Sequence, residues 1–546
     1  MKVYEAVANA LKECGARNVF GLMGDGNLRF LNYWVHELDG GYYGSRHESP
    51  GIAMADGYFR ISGEIGVATT TQGPGLTNAI TALVAARKAR SPMVYAVGDV
   101  ASYQAGWPQD IDHQAVFDAA GVPLVDLRDP AIAFSETVRA VRMAYEQRTP
   151  VGLSIPTDVQ EMDWDPWSDD ASTDLPGRDL SLEGDLDRAA EILATAQRPV
   201  IIAGRGTVEA DCADTLADIG DRIGALYATT LKGKGLFAES PYLVGMAGGL
   251  GTNLSATLIG QADAVLVVGA ALNDFTTIRQ TLLRPSAKVV RCDLDPAVAT
   301  VNVGEDCRLI GDASTAMSGL LERLAGREPS VGYRTDDVAE QLRTFRPQDE
   351  VVLVDEPGLI DPRELVMLLD ELVPTNRNVA TDSGRFFGDP CSYMSVPDGR
   401  SFVDGISFGS IGLGLGLSMG VSVARRDRPT VLFVGDGGLF MSLGELETAV
   451  RYELPLLVVV MNDNAYGSEL QISRVWDLPD QLSVFRQGDF AAIAAGIGAR
   501  SANATSLDDV RTALADLDLT TGPFVLDCTI NPNISARWLD DAFERA

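Results

Sequence analysis

The stretch Val431–Gly467 reads VLFVGDGGLFMSLGELETAVRYELPLLVVVMNDNAYG, and the reading of the chain grows from it. It opens as an apolar run, VLFV, and breaks at Gly435-Asp436-Gly437-Gly438. It then passes through a helix-like pattern, returns to an apolar run, LLVVVM, and closes on Asn462-Asp463-Asn464. Short apolar runs separated by a helical pattern predict parallel strands buried on both faces. Asp463 follows Asp436 by 27 residues, the length of one helix plus one strand, so both turns are expected at the same carboxyl edge of one sheet. Open sheets of this kind bind ligands at that edge. The glycines let the main chain approach a ligand. The N–H groups opening the next helix, from Leu439 onward, favour an anion such as a phosphate. Asp436 adds a hard oxygen donor, and two such donors with a main-chain carbonyl suit Mg²⁺, which shares its octahedral shell with substrate phosphates.

The same alternation recurs along the chain, as in IGVATTT then GLTNAITALVAARKA, and in PVIIAG then EADCADTLADIGDRIG. Two stretches break it: DWDPWSDDASTDLPGRDL over 163–180 and GREPSVGYRTDD over 326–337, both without periodicity. Read as linkers, they divide the chain into 1–163, 185–326 and 350–546. A chain of 546 residues is too long for one hydrophobic core and fits roughly three domains. The expected architecture is three doubly wound parallel-sheet α/β domains in series.

Hydrophobic residues at 46% and charged residues at 22% are those of a soluble globular protein. No apolar run reaches the ~20 residues of a membrane span, and no basic head precedes an apolar core near the N-terminus. A cytoplasmic protein is expected. Asp+Glu 76 against Lys+Arg 44 gives a net charge of −32, which disfavours nucleic acid and anionic membranes as partners. Six scattered cysteines without a CxxC, and only three histidines, indicate neither a zinc site nor a disulfide framework.

The Gly-Asp-Gly turn followed by a helix, a strand and an Asn-Asn-like ending resembles the signature of the thiamine diphosphate (ThDP) enzyme superfamily. The likeness extends beyond it. FGLMGDGN, RHESPGIAMADGYFR, TQGPG and TNAI are similar to the pyrimidine-binding domain of acetolactate (acetohydroxyacid) synthase and its relatives. RPVIIAGRG, ADAVLVVGAALNDF and AKVVRCDLDP resemble the central domain of that group, and TDSGRFFG and GSIGLGL its diphosphate-binding domain.

What the resemblance implies is specific. Asp436, Asp463 and the carbonyl of Ala465 would hold Mg²⁺ on the diphosphate. Asp463 stands where the family has a second Asn, and so adds negative charge beside that diphosphate. Gly435, Gly437, Gly438, Leu439 and Gly384 would border the diphosphate, while Pro50, Gly73 and Asn78 would meet the cofactor from the N-terminal domain. Ile411 falls where the family places a bulky apolar side chain under the cofactor; a core isoleucine is the alternative. Glu48 falls on the catalytic glutamate, which contacts N1′ of the aminopyrimidine and favours the imino tautomer that removes the thiazolium C2 proton. Arg385 is either an anion ligand or a solvent-facing arginine.

The substrate side is less determined. His113 and Gln114 stand where relatives carry a Phe-Gln or Asp-Gln pair, and read as donors to a substrate oxygen or, for His113, as a structural residue. The adjacent histidines of pyruvate decarboxylases are missing. AYGSELQISRVWD departs from the Gln-Trp pattern of the biosynthetic synthases, and Asn27, Ser468 and Glu469 suggest a more polar substrate pocket. Some relatives bind FAD in the central domain and others ADP or CoA; Ala271 and Leu272 follow VLVVGA where the FAD-binding synthases have an arginine, which disfavours FAD. The resemblance also implies a homodimer or homotetramer with active sites between subunits. The function read from all this is a ThDP- and Mg²⁺-dependent carboligase or decarboxylase acting on a 2-oxo acid. A 2-hydroxyacyl-CoA or benzaldehyde-type lyase is the alternative, so the small-molecule partner is a 2-oxo acid, an aldehyde or an acyl-CoA. A nucleotide-dependent oxidoreductase would need a complete dinucleotide fingerprint, and a catalytically silent ThDP-fold protein would be expected to lack Glu48.

Overall fold

The structure is a computed structural model that describes residues 1–165, 167, 169, 171–175, 181–297, 304–486, 488–536 and 538–539. Much of the first predicted linker, 166, 168, 170 and 176–180, lies outside the described residues.

Three sheets follow one another along the chain. The first runs in the order Gly41–Gly44, Asn18–Gly21, Gly66–Thr70, Met93–Asp99, Pro150–Pro156, Leu124–Asp126, all parallel. The last repeats that order with Phe402–Asp404, Asn378–Thr381, Thr430–Gly435, Leu456–Asn462, Phe524–Thr529 and Arg500–Ala504, again all parallel. Helices cover both faces, so central strands such as LLVVVMN are buried along their whole length, as a sheet without a wet face requires. The middle sheet has seven strands, six of them parallel. Its edge strand Leu182–Gly184 runs antiparallel to Cys307–Gly311, a departure from the expected all-parallel sheet.

The second predicted linker is not free. Tyr333 is buried, its hydroxyl donates to the Leu258 carbonyl, and Arg334 donates to the Ala225 carbonyl. This segment therefore closes over the middle sheet.

The first and last units meet through two helices, Glu48–Ser62 and Gly414–Ala424. Both are rich in small residues, and the second is buried over nearly its whole length. At the crossing, a Cβ on Gly420 would stand 1.9 Å from the Met54 carbonyl oxygen and one on Gly57 2.2 Å from that of Leu417. All three units meet at Asp404. Its carboxylate takes Lys232 Nζ from the middle unit at 2.7 Å on both oxygens, and Arg60 from the first unit at 2.9 Å. Burial alone would raise Asp404, but Lys232 and Arg60 outweigh burial and hold it at about 2.

All six cysteines are free and buried. Among the described residues no helix is long and apolar enough to cross a membrane.

Candidate functional site

Strands Thr430–Gly435 and Leu456–Asn462 are neighbours in register, with Gly435 opposite Met461. Their carboxyl ends therefore deliver Asp436 and Asp463 to one edge. Both line a cavity of about 200 Å³ with Gly384, Gly435, Gly437, Gly438, Ile411, Ala465, Ser468 and Glu469. These ten residues, singled out in the sequence, are brought together.

Leu439 is not among them. Gly435 is extended (φ −73°, ψ 155°) and caps a helix that opens at Asp436, three residues earlier than expected, and the Leu439 side chain is buried in the core. The glycines have a second reason to be glycine. A Cβ on Gly437 would lie 2.7 Å from the Tyr466 ring, and one on Gly438 2.5 Å from Asp382 Oδ2.

Asp436 is buried, and its Oδ2 has no hydrogen-bond partner; Asn464 Oδ1 is likewise buried and unpartnered. Burial, then the neighbouring Asp463, pushes Asp436 up to about 8. Burial also raises Asp463, against the opposing Arg385 guanidinium, whose Nη2 donates to Asp463 Oδ2 at 2.8 Å. Arg385 itself is buried, so it does not face solvent. An orphaned carboxylate oxygen beside a second carboxylate is a donor set for a hard cation. Among the described residues no group of three or more His, Cys, Asp or Glu side chains is placed to hold a metal, so a cation at this edge would complete its shell with main-chain carbonyls and a ligand's oxygens.

Behind the cavity, Asp382 Oδ2 accepts the Gly412 N–H at 2.7 Å, and Oδ1 accepts those of Ser383 and Gly414. These bonds fix the loop that carries Ile411. Burial pushes Asp382 up to about 6 in spite of them. Asp382 is a site residue that the sequence analysis does not single out, yet a carboxylate just after a buried strand and two residues ahead of a glycine carries much the same signal as Asp436.

The N-terminal candidates gather elsewhere. Glu48 opens its helix, is 7% exposed, and accepts from Asn78 Nδ2 at 3.1 Å. Ser49 Oγ donates to the Asn78 carbonyl at 2.5 Å. Pro50 lies at the helix crossing, where a Cβ on Gly416 would be 2.9 Å from its Cα. Gly73 caps the short turn leading to Asn78 with φ +62°. The residues lining the Asp436 cavity all fall between 383 and 539. Within one chain, then, the Glu48 cluster and that cavity are separate.

Two sets of candidates stand apart within one chain. Consecutive helical residues point about 100° apart. His113 therefore turns inward, its Nδ1 2.9 Å from Ser154 Oγ and its Nε2 3.5 Å from Asp99 Oδ1, while Gln114 is exposed and donates to Asp118 one turn on. Burial, only partly opposed by Asp99, lowers His113. Asn27 is buried and spent on its own loop: it accepts from Gly24 N–H and donates to the Leu22 carbonyl and Thr69 Oγ1. Within one chain it lies outside the cavity that Ser468 and Glu469 line.

Comparison with known proteins places this geometry. Residues 1–117 match the N-terminal TPP binding domain of thiamine pyrophosphate enzymes, residues 186–320 their central domain and residues 382–528 their C-terminal TPP binding domain. The chain is 28% identical over 553 residues to a probable acetolactate synthase large subunit of Methanocaldococcus jannaschii, covering 97% of this chain and 92% of that one. It is 27% identical to a sulfoacetaldehyde acetyltransferase of Alcaligenes xylosoxydans xylosoxydans, covering 93% and 89%. The fold matches an X-ray structure described as a thiamin diphosphate-dependent enzyme isolated from Mycobacterium smegmatis, with a TM-score of 0.77 at 22% identity over 97% of this chain and 99% of that one. The chain belongs to the thiamine pyrophosphate enzymes, within their acetolactate synthase-like group.

Proposed function

We propose that the chain is a Mg²⁺- and ThDP-dependent enzyme that makes or breaks the carbon–carbon bond next to the carbonyl of a 2-oxo acid, working as a homodimer or homotetramer. The observation that carries this is the cavity at the paired strand ends, where the buried, unpartnered Oδ2 of Asp436 faces the same space as Asp463. Asp436, Asp463 and the Ala465 carbonyl would hold Mg²⁺. The main chain at Gly384, Gly435, Gly437 and Gly438 would border the diphosphate, and Ile411 would support the cofactor from below. When bound, ThDP supplies the carbanion-stabilising centre and electron sink.

Glu48 holds a proton-transferring carboxyl at the start of its helix, steadied by Asn78. Its separation from the cavity within one chain supports a site completed by a second copy, whose Glu48 would face this cavity. The relatives named as acetolactate synthase and sulfoacetaldehyde acetyltransferase support transfer of a two-carbon acyl unit as the reaction class.

The alternative, a hydroxyacyl-CoA lyase, draws support from a cavity of about 440 Å³ beside the middle sheet. Its lining includes Lys88 and Arg205, a setting for phosphate groups, beside Lys232, which is paired with Asp404. The test is to give the purified chain ThDP and Mg²⁺ and to screen 2-oxo acids, alone and with aldehyde or 2-oxo acid acceptors, against hydroxyacyl-CoA thioesters. Products are identified by mass, the assembly is sized by light scattering, and the absorption spectrum reports any flavin. A chain that binds no ThDP under these conditions rejects the proposal.

A further inference from the structure

We infer that Arg385 is a positioning residue of the cation site: it holds and neutralises Asp463, so that a carboxylate can serve beside a diphosphate. This rests on the reading of the cavity as the Mg²⁺·ThDP site.

Two buried carboxylates share the cavity, and each raises the cost of ionising the other. A bound diphosphate would add further negative charge at the same edge. Arg385 supplies the only positive side chain among the lining residues described, and both it and Asp463 are 6% exposed at the side chain. A guanidinium stays charged under all relevant conditions and fixes a carboxylate by direction as well as by charge.

The position of Arg385 does not depend on Asp463. Its Nη1 donates to the Ile534 carbonyl, its Nη2 reaches the Asn531 carbonyl at 3.3 Å, and Trp538 Nε1 donates to its own carbonyl at 3.1 Å. The C-terminal segment thus holds the cation in place before any ligand arrives, and preorganised charge costs no rearrangement when the ligand binds.

Gly467 belongs to the same arrangement. A Cβ there would stand 2.4 Å from Asp463 Oδ2 and 2.9 Å from Arg385 Nε, so any side chain at 467 would push the pair apart. The Asp at 463, the Arg at 385 and the Gly at 467 make one unit.

The experiment measures the dissociation constant of ThDP at saturating Mg²⁺ on the full chain, by quenching of intrinsic tryptophan fluorescence, and needs no turnover. Arg385→Gln is expected to weaken ThDP about tenfold in the wild-type background and less than about twofold in the Asp463→Asn background. Arg385→Lys keeps the charge but loses the directed fork, so its loss in the wild-type background is expected to lie between those of wild type and Arg385→Gln. An equal loss from Arg385→Gln in both backgrounds would overturn the inference, because a merely structural arginine would be missed equally in each. Should Arg385→Gln fail to fold, Arg385→Lys takes its place in the same cycle, and an equal loss in the wild-type and Asp463→Asn backgrounds overturns the inference. Wild-type chain that binds no ThDP brings down the cofactor reading itself, and the inference with it.

Discussion

Glu445 holds the main chain that delivers Glu48. Its Oε1 accepts the N–H groups of Arg46 at 2.8 Å and His47 at 2.9 Å, and its Oε2 accepts the Thr448 hydroxyl at 2.8 Å. The carboxylate comes from the last unit, and the two N–H groups immediately precede the helix of the first unit that Glu48 opens. The position of Glu48 is therefore set partly by a side chain nearly 400 residues away.

Replacing that acceptor leaves three donors wanting: the Arg46 and His47 N–H groups and the Thr448 hydroxyl. Glu445→Ala is expected to cost about 1–3 kcal/mol, the usual penalty for unsatisfied buried polar groups, with Glu445→Gln milder because one acceptor oxygen remains. The direct readout is hydrogen exchange at the amides of Arg46 and His47, which should speed up in Glu445→Ala. Unchanged protection there would show that the bonds carry no weight.

Glu48→Gln should leave ThDP bound but slow exchange of the cofactor's C2 hydrogen by at least about a hundredfold, the lower end of what a positioned acid–base group supplies. Proton NMR of the cofactor in heavy water follows this directly. The amide can still accept from Asn78, so the helix start should remain intact and loss of cofactor binding would point to a different role for residue 48.

How far the sequence could reach is clear from these residues. The sheet edge was legible because apolar runs have a fixed length and a helix plus a strand spans a fixed count, so Asp436 and Asp463 could be placed together. The inward turn of His113 and the outward turn of Gln114 were legible in principle from helical geometry, but adjacency in a motif was read as adjacency in space. The helix opens at Asp436 and not at Leu439 because its cap falls at Gly435, inside the glycine run, where one glycine cannot be told from the next by composition. The edge strand Leu182–Gly184 is three residues without an apolar run, too short to leave a pattern. Glu445 and Asp404 act on partners some 170 to 400 residues away, and nothing in a local window marks such a pairing.

Asp404 should anchor the three units to one another. Asp404→Asn leaves Lys232 and Arg60 without their shared counter-charge, and breaking a buried pair in this way costs about 3 kcal/mol or more. The first unfolding transition by calorimetry should move down by several degrees at neutral pH. The pH dependence follows from the depressed carboxyl: held at about 2 in the fold against about 3.9 in an unfolded chain, it contributes fully above about pH 4, and that contribution is lost as pH falls through about 2. The wild-type and Asp404→Asn transitions should therefore converge on acidification through this window, and a constant gap would contradict the assignment.

The crossing of Glu48–Ser62 over Gly414–Ala424 gives a test in which one substitution acts with opposite signs at two sites. Gly420→Ala would place its methyl 1.9 Å from the Met54 carbonyl oxygen, and main chain cannot swing aside as a side chain can. The helices must separate, and overpacking of this kind costs about 1–3 kcal/mol or more. Gly496 lies in the helix Phe490–Ile497, is exposed, and has nothing within 4 Å of where its Cβ would stand. Gly496→Ala should therefore stabilise by about 0.5–1 kcal/mol, through the helical preference of alanine over glycine. Denaturation of the two variants beside wild type decides the matter: a Gly420→Ala variant as stable as Gly496→Ala would mean that the first and last units are not in backbone contact along this crossing.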